Sequence, residues 1–283
     1  MRQSLMLTSL FNAVAQMPDA STRDALLHNL QKNSTQAAIF TIEDFITALT
    51  AQPVTPETLK YFLHHWYSMH HHGKGAYQVI PRLLEEAEQY HGFRQDYLLR
   101  AALNISRVLI TETELHQPSE ERLYSLFAQT LTHGQEWLSM QHHLQEIDCF
   151  TINREKFLKH ADTQTAILGI LTTEILNMAV YECFNKKIMP WMIHQQEIPP
   201  LPARKAVAYL HAHAGGAEIE DIQQAYQAWK NLSLAKKKQL DNQALIRSFN
   251  SHLSDMSAAY STLHQLITCN QHKIHQVACK LLP

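Results

Sequence analysis

The sequence predicts an all-α fold, a compact multi-helix bundle with an N-terminal helical extension. Three observations predict it. Glycine is scarce, 7 of 283 residues, against an ordinary share of about 7%, which leaves little material for tight hairpin turns. No Asn-Gly or Asp-Gly pair marks a hairpin between alternating runs. Apolar residues recur at helical spacing along most of the chain instead.

The elements follow in order. SLMLTSLFNAVAQM reads as a first helix ended by Pro18, and Ser21–Gln31 as a second with Ser21 or Thr22 as its cap. TIEDFITALTAQ reads as a short helix capped by Thr41, with Pro53 and Pro56 marking the break after it. Residues 1–50 form the extension in this division, and residues 51–283 the bundle. Pro56 then suits the first position of a helix whose apolar stripe is Leu59, Phe62, Leu63, Trp66 and Met69 or His70. The run His70–His72 after it reads as a solvated loop. AYQVIPRLLEEAEQY and FRQDYLLRAALNISRVLITETELH follow, the latter stopped by Pro118. SEERLYSLFAQTLTHG is a helix between Ser119 and Gly134. Residues 135–162 give no clear pattern. HADTQTAILGILTTEILNMAVYECFNKKI is a long apolar helix, and the proline-bearing MPWMIHQQEIPPLP reads as a connector. ARKAVAYLHAHAGGAEIEDIQQAYQAWKNL and LDNQALIRSFNSHLSDMSAAYSTLHQLI read as the last two long helices.

Bulk properties exclude several function classes. A net charge of -2 gives no basic footprint for nucleic acid, and the lysine run 236–238 reads as a solvated helix end. No stretch approaches 18 uninterrupted apolar residues, so no membrane span is expected. The N-terminus lacks the apolar core of a signal peptide, and the four cysteines show no CxxC spacing. A cytoplasmic protein with reduced thiols is expected. Histidine, at 19 residues, is abundant.

Three polar groups interrupt apolar helices. Glu112 and His116, with Glu114 between them, are spaced i and i+4 and share a face that could clasp one metal ion. They could equally be solvated charges at a helix end. Glu174 stands among Leu168, Ile170, Leu171, Ile175, Leu176 and Met178, where an inward carboxylate needs a partner. It could also lie on an exposed stripe. His211 and Glu218 are seven residues apart, about two turns, and so share a face with Gly215 between them. His213 points away from that pair. No nucleophile elbow, phosphate loop or H-E-x-x-H motif occurs.

The order of these pieces resembles the haem-oxygenase-like helical superfamily, which includes thiaminase II-like proteins, pyrroloquinoline-quinone synthase-like proteins and haem-oxygenase-like diiron oxidases. The similar stretch runs from about Thr58 to Trp229. The aromatic-rich LKYFLHHWYSM, RAALNISRVLITETELH with LYSLFAQTLTHG, the helix bearing Glu174, and YLHAHAGGAEIEDIQQAYQAW match the family's helices in order. Gly215 stands where the family's last motif has aspartate, Glu218 where it has histidine, and Leu123 where a histidine precedes Leu-Phe. Arg107 or Val108 stands where an acidic residue is expected. The resemblance implies three ligands, Glu174, His211 and Glu218, holding iron or manganese. Glu112 and His116 could supply others, and Trp66, Tyr181 and Tyr209 would line the pocket. It implies a metal-dependent oxidase or oxygenase acting on a small organic molecule, with a homodimer left open. The alternatives are a member without metal that binds a small molecule or a protein partner, and a metal-free hydrolase using Cys183.

Overall fold

Ser4 opens the first helix by accepting a hydrogen bond from the Leu7 amide at 3.0 Å, the ordinary side-chain cap for the free amides of a helix start. In the computed structural model the described residues are 4–70, 73–111, 120–213 and 216–268; of residues 73, 74, 110, 111, 149 and 216–218 only the backbone is described. No strand occurs among them. The helices are α1 (Leu5–Ala15), α2 (Ala20–Leu30), α3 (Asn33–Ala51), α4 (Pro56–His70), α5 (Gly73–Tyr77), α6 (Val79–Glu88), α7 (Phe93–Thr111) and α8 (Glu120–Thr132). Two 3-10 turns, Glu136–Leu138 and Met140–His142, lead into α9 (Gln145–His160). Then come α10 (Thr163–His194), α11 (Pro200–Ala206), α12 (Ala208–Ala212), α13 (Gly216–Ala235) and α14 (Asn242–Thr268).

The 32-residue α10 is the axis of the bundle. It packs against α1, α3, α13 and α14, and α7 lies along α13 on the outer side. Buried residues run continuously from Ala166 to Tyr181, so the helix is apolar all round because neighbours cover every face. By length and composition it could cross a bilayer, but nearly all of its most apolar window is buried inside the protein.

Several boundaries differ from expectation. Asp19, not Ser21 or Thr22, caps α2, accepting from the Thr22 amide at 2.7 Å. Helix α3 starts at Asn33, so Thr41 lies mid-helix and its hydroxyl donates back to the Ala37 carbonyl. The expected connector after residue 188 is helical as far as His194, running through Pro190. Proline inside a helix costs about 3 kcal/mol. Here the burial of Trp191 and Met192, and the indole N–H of Trp191 donated to the Gln52 carbonyl at 2.9 Å, offset that cost. The lysine run does end a helix: Lys237 takes a φ of 52° just past α13.

Residues 1–50 pack against the rest of the bundle. Helix α1 packs on α10 and α3 on α14. The Leu5 amide donates to the buried Glu43 carboxylate at 2.8 Å, Ser9 donates to Glu182 of α10, and Asn29 donates to Asn250 of α14 at 2.8 Å. Met6, Leu10, Ile39, Phe45 and Ile46 join the same apolar cluster as Trp66 and Phe184.

Gly75 sets how closely α5 approaches α9. A Cβ there would stand 2.7 Å from the Glu155 carbonyl oxygen and 3.1 Å from the Leu158 Cβ. The nearer atom is backbone and cannot rotate away. Gly75→Ala is expected to lower stability by about 1–3 kcal/mol, read as a fall in the urea midpoint, with α9 displaced.

Candidate functional site

Two of the ligand candidates, Glu174 and His211, are described with their side chains. Glu174 is buried in α10, 5% exposed, whereas His211 sits exposed on the last turn of α12. The single helix expected to carry both His211 and Glu218 is broken. One helix ends at Ala206 and the next at Ala212, and α13 begins only at Gly216. Because α12 ends at Ala212 and His213 lies past it, a seven-residue spacing does not by itself fix a common face. The Glu218 side chain, and Glu112, Glu114 and His116 entirely, lie outside the described residues. Among the described residues no group of three or more His, Cys, Asp or Glu side chains could hold a metal ion. A core carboxylate and a solvent-facing imidazole do not by themselves fit one iron or manganese site.

Trp66, Tyr181 and Tyr209 do come together, in the core. The Trp66 ring lies 5.5 Å from Tyr181 and 5.8 Å from Tyr209, and the two tyrosine hydroxyls share a hydrogen bond of 2.8 Å. Two histidines outside the expected ligand set join them. His213 stacks on Tyr181 at 4.5 Å and pairs with Glu120 at 3.2 Å. His70, read both as an alternative end of the apolar stripe and as the start of a solvated loop, is 3% exposed, because α4 extends to it and turns it inward; His71 and His72 lie outside the described residues.

The bonds around His70 fix its state. The Asn177 amide nitrogen donates to the His70 carbonyl at 2.8 Å, so its oxygen faces Nδ1, 2.7 Å away, as acceptor. Nδ1 therefore carries the proton and Nε2 accepts from the Tyr260 hydroxyl at 2.7 Å. That hydroxyl oxygen in turn accepts the Trp66 indole N–H at 2.8 Å. The network is complete with a neutral imidazole, and burial holds the His70 pKa down at about 3. Burial pushes the Tyr209 and Tyr260 hydroxyls up. This cluster can donate and accept hydrogen bonds rigidly, and it ties α4, α10, α12 and α14 together.

A hollow of about 390 Å³ lies elsewhere, between α9, α10 and α14. Helix α9 lines it with Phe150, Asn153, Arg154, Phe157 and Leu158, and α10 with Thr165, Leu168 and Gly169. Both sets follow i, i+3, i+4 spacing, one face of each helix. Helix α14 contributes Ala244, Arg247, Ser248, Ser251, His252 and Asp255, again a single face. The floor is apolar: Leu158 and Leu168 are buried, and Phe150 is 8% exposed. Gly169 lets α9 come close, since a Cβ there would stand 3.3 Å from Leu158 and 3.4 Å from the Phe157 ring.

Arg154 anchors the inner wall. It donates to the Ser68 and Met69 carbonyls at the end of α4, where a helix C-terminus favours a cation, and its guanidinium lies 5.3 Å from the Phe150 ring centre. His252 meets the same ring edge-on at 5.7 Å. Burial raises the Asp255 carboxyl above its ordinary range. Sequence reasoning missed this site for a physical reason. A polar face on α14 reads as solvated unless its partner helix is known, and the aromatic wall falls in residues 135–162, where no pattern was clear.

No family model, no curated protein and no solved structure matches the chain.

Proposed function

We propose that the protein binds a small organic molecule in the hollow between α9, α10 and α14, without a metal. One observation carries this: three helices converge on a single concave space with an apolar floor and polar groups from α14 on its wall. Its 390 Å³ falls within the range of about 300–1,000 Å³ typical of ligand sites, which combine apolar walls with a few placed polar groups.

The test uses the neutral fluorophore phenylnaphthylamine, whose emission rises in apolar surroundings. Saturable binding to the wild type is expected, at one site per chain. Ser248→Trp places an indole in the hollow from α14 and is expected to weaken that binding at least tenfold while leaving the circular dichroism unchanged. Equal binding to a folded Ser248→Trp protein contradicts the proposal.

A further inference from the structure

We propose that the ligand of the α9–α10–α14 hollow is an organic acid, with its carboxylate held by Arg247 and its apolar body against Phe157 and Leu168. This rests on the hollow being the binding site. The charges lining it are Arg154, Arg247 and Asp255, with His252 beside them. Two guanidinium groups, always protonated, face one carboxylate, and burial disfavours that carboxylate's ionised form. The lining residues therefore carry a net positive charge, Asp241 lying outside them.

The two arginines have different parts. Arg154 is fixed by the carbonyls of Ser68 and Met69 and by the Phe150 ring, so it contributes charge from a set position. Arg247 is loosely held. Its ion pair with Asp241 spans 3.8 Å, and the two side chains are 70% and 47% exposed. An ion pair in that setting is worth little, so the guanidinium can leave it for a ligand. A planar fork of N–H donors matches a carboxylate in bidentate fashion. Ser248 and Ser251 on the same face of α14 offer hydroxyls next to it. The floor of Phe150, Leu158 and Leu168 is apolar, so the part of the ligand lying on it is apolar.

Three probes of one shape, naphthoate, naphthalenemethanol and naphthylmethylamine, separate the possibilities by calorimetric titration of the full chain. Naphthoate is expected to bind at least tenfold tighter than the alcohol, and the amine weakest. Arg247→Gln is expected to remove that tenfold preference while leaving alcohol binding in place, and Arg247→Lys to restore part of it. If acid and alcohol bind equally to the wild type and both are lost in Ser248→Trp, the hollow stands as the site and the acid assignment is overturned. Tightest binding by the amine also overturns it, in favour of Asp255 as the anchor. If no probe binds the folded wild type, the small-molecule proposal falls and the acid assignment with it.

Discussion

Trp66→Ala is expected to destabilise the protein by about 3–5 kcal/mol, the range for removing a fully buried tryptophan. Its indole is 0% exposed and touches the rings of Phe62, Tyr124, Tyr181, Phe184 and Tyr209. These rings come from α4, α8, α10 and α12, so the space left cannot close by moving one helix. The change also removes the N–H that the Tyr260 hydroxyl accepts. Trp66→Phe keeps most of the ring contact and loses that donor, so about 1–2 kcal/mol is expected. Urea unfolding followed by circular dichroism reads both. A loss below 1 kcal/mol for the alanine variant would mean that the aromatic cluster is not the core of the fold.

Lowering the pH from 7 to 5 is expected to remove about 4 kcal/mol of stability through two histidines. His65 and His70 are both held down to a pKa of about 3, chiefly by burial. Nε2 of His65 accepts the Leu144 amide at 2.7 Å, and Nε2 of His70 accepts the Tyr260 hydroxyl, so each network requires the neutral ring. Unfolded, each ring takes a proton near pH 6.5. Stability is therefore full above about pH 6.5 and falls as the pH drops toward 3, by about 1.4 kcal/mol per unit for each ring. Asp19, Glu57 and Asp162, whose carboxyls are lowered, add losses only in more acid solution. His65→Gln keeps an acceptor for the Leu144 amide and does not titrate. It should cut the loss between pH 7 and 5 by about 2 kcal/mol, measured by urea unfolding at each pH.

Much of the scaffold was legible in the sequence. The apolar stripe of α4 and the continuous apolar run of α10 are written in residue spacing, and both are buried as spacing implies. Boundaries that depend on tertiary contact were not legible. Val207 separates α11 from α12, yet valine flanked by alanines carries no stop signal; α11 and α12 bend there to lie against α8. Pro190 reads as a break, and Trp191 overrides it by its bond to Gln52.

The sites were less legible still. Trp66, Tyr181 and Tyr209 meet across α4, α10 and α12, but His213 beside them reads as pointing away, and His70 reads either as the end of a stripe or as loop. The stripe Arg247, Ser248, Ser251, His252 and Asp255 has the composition of a solvated helix face. Only the position of α9 opposite it, set by Gly75 and Gly169, makes that face the wall of a hollow.

A crystal structure of the protein grown with naphthoate tests the central claim most directly. The naphthalene ring is expected between α9, α10 and α14, against Phe157 and Leu168, with the carboxylate on Arg247. A ligand seated instead beside Trp66, Tyr181 and Tyr209, or a hollow filled by the protein's own side chains, would contradict the account.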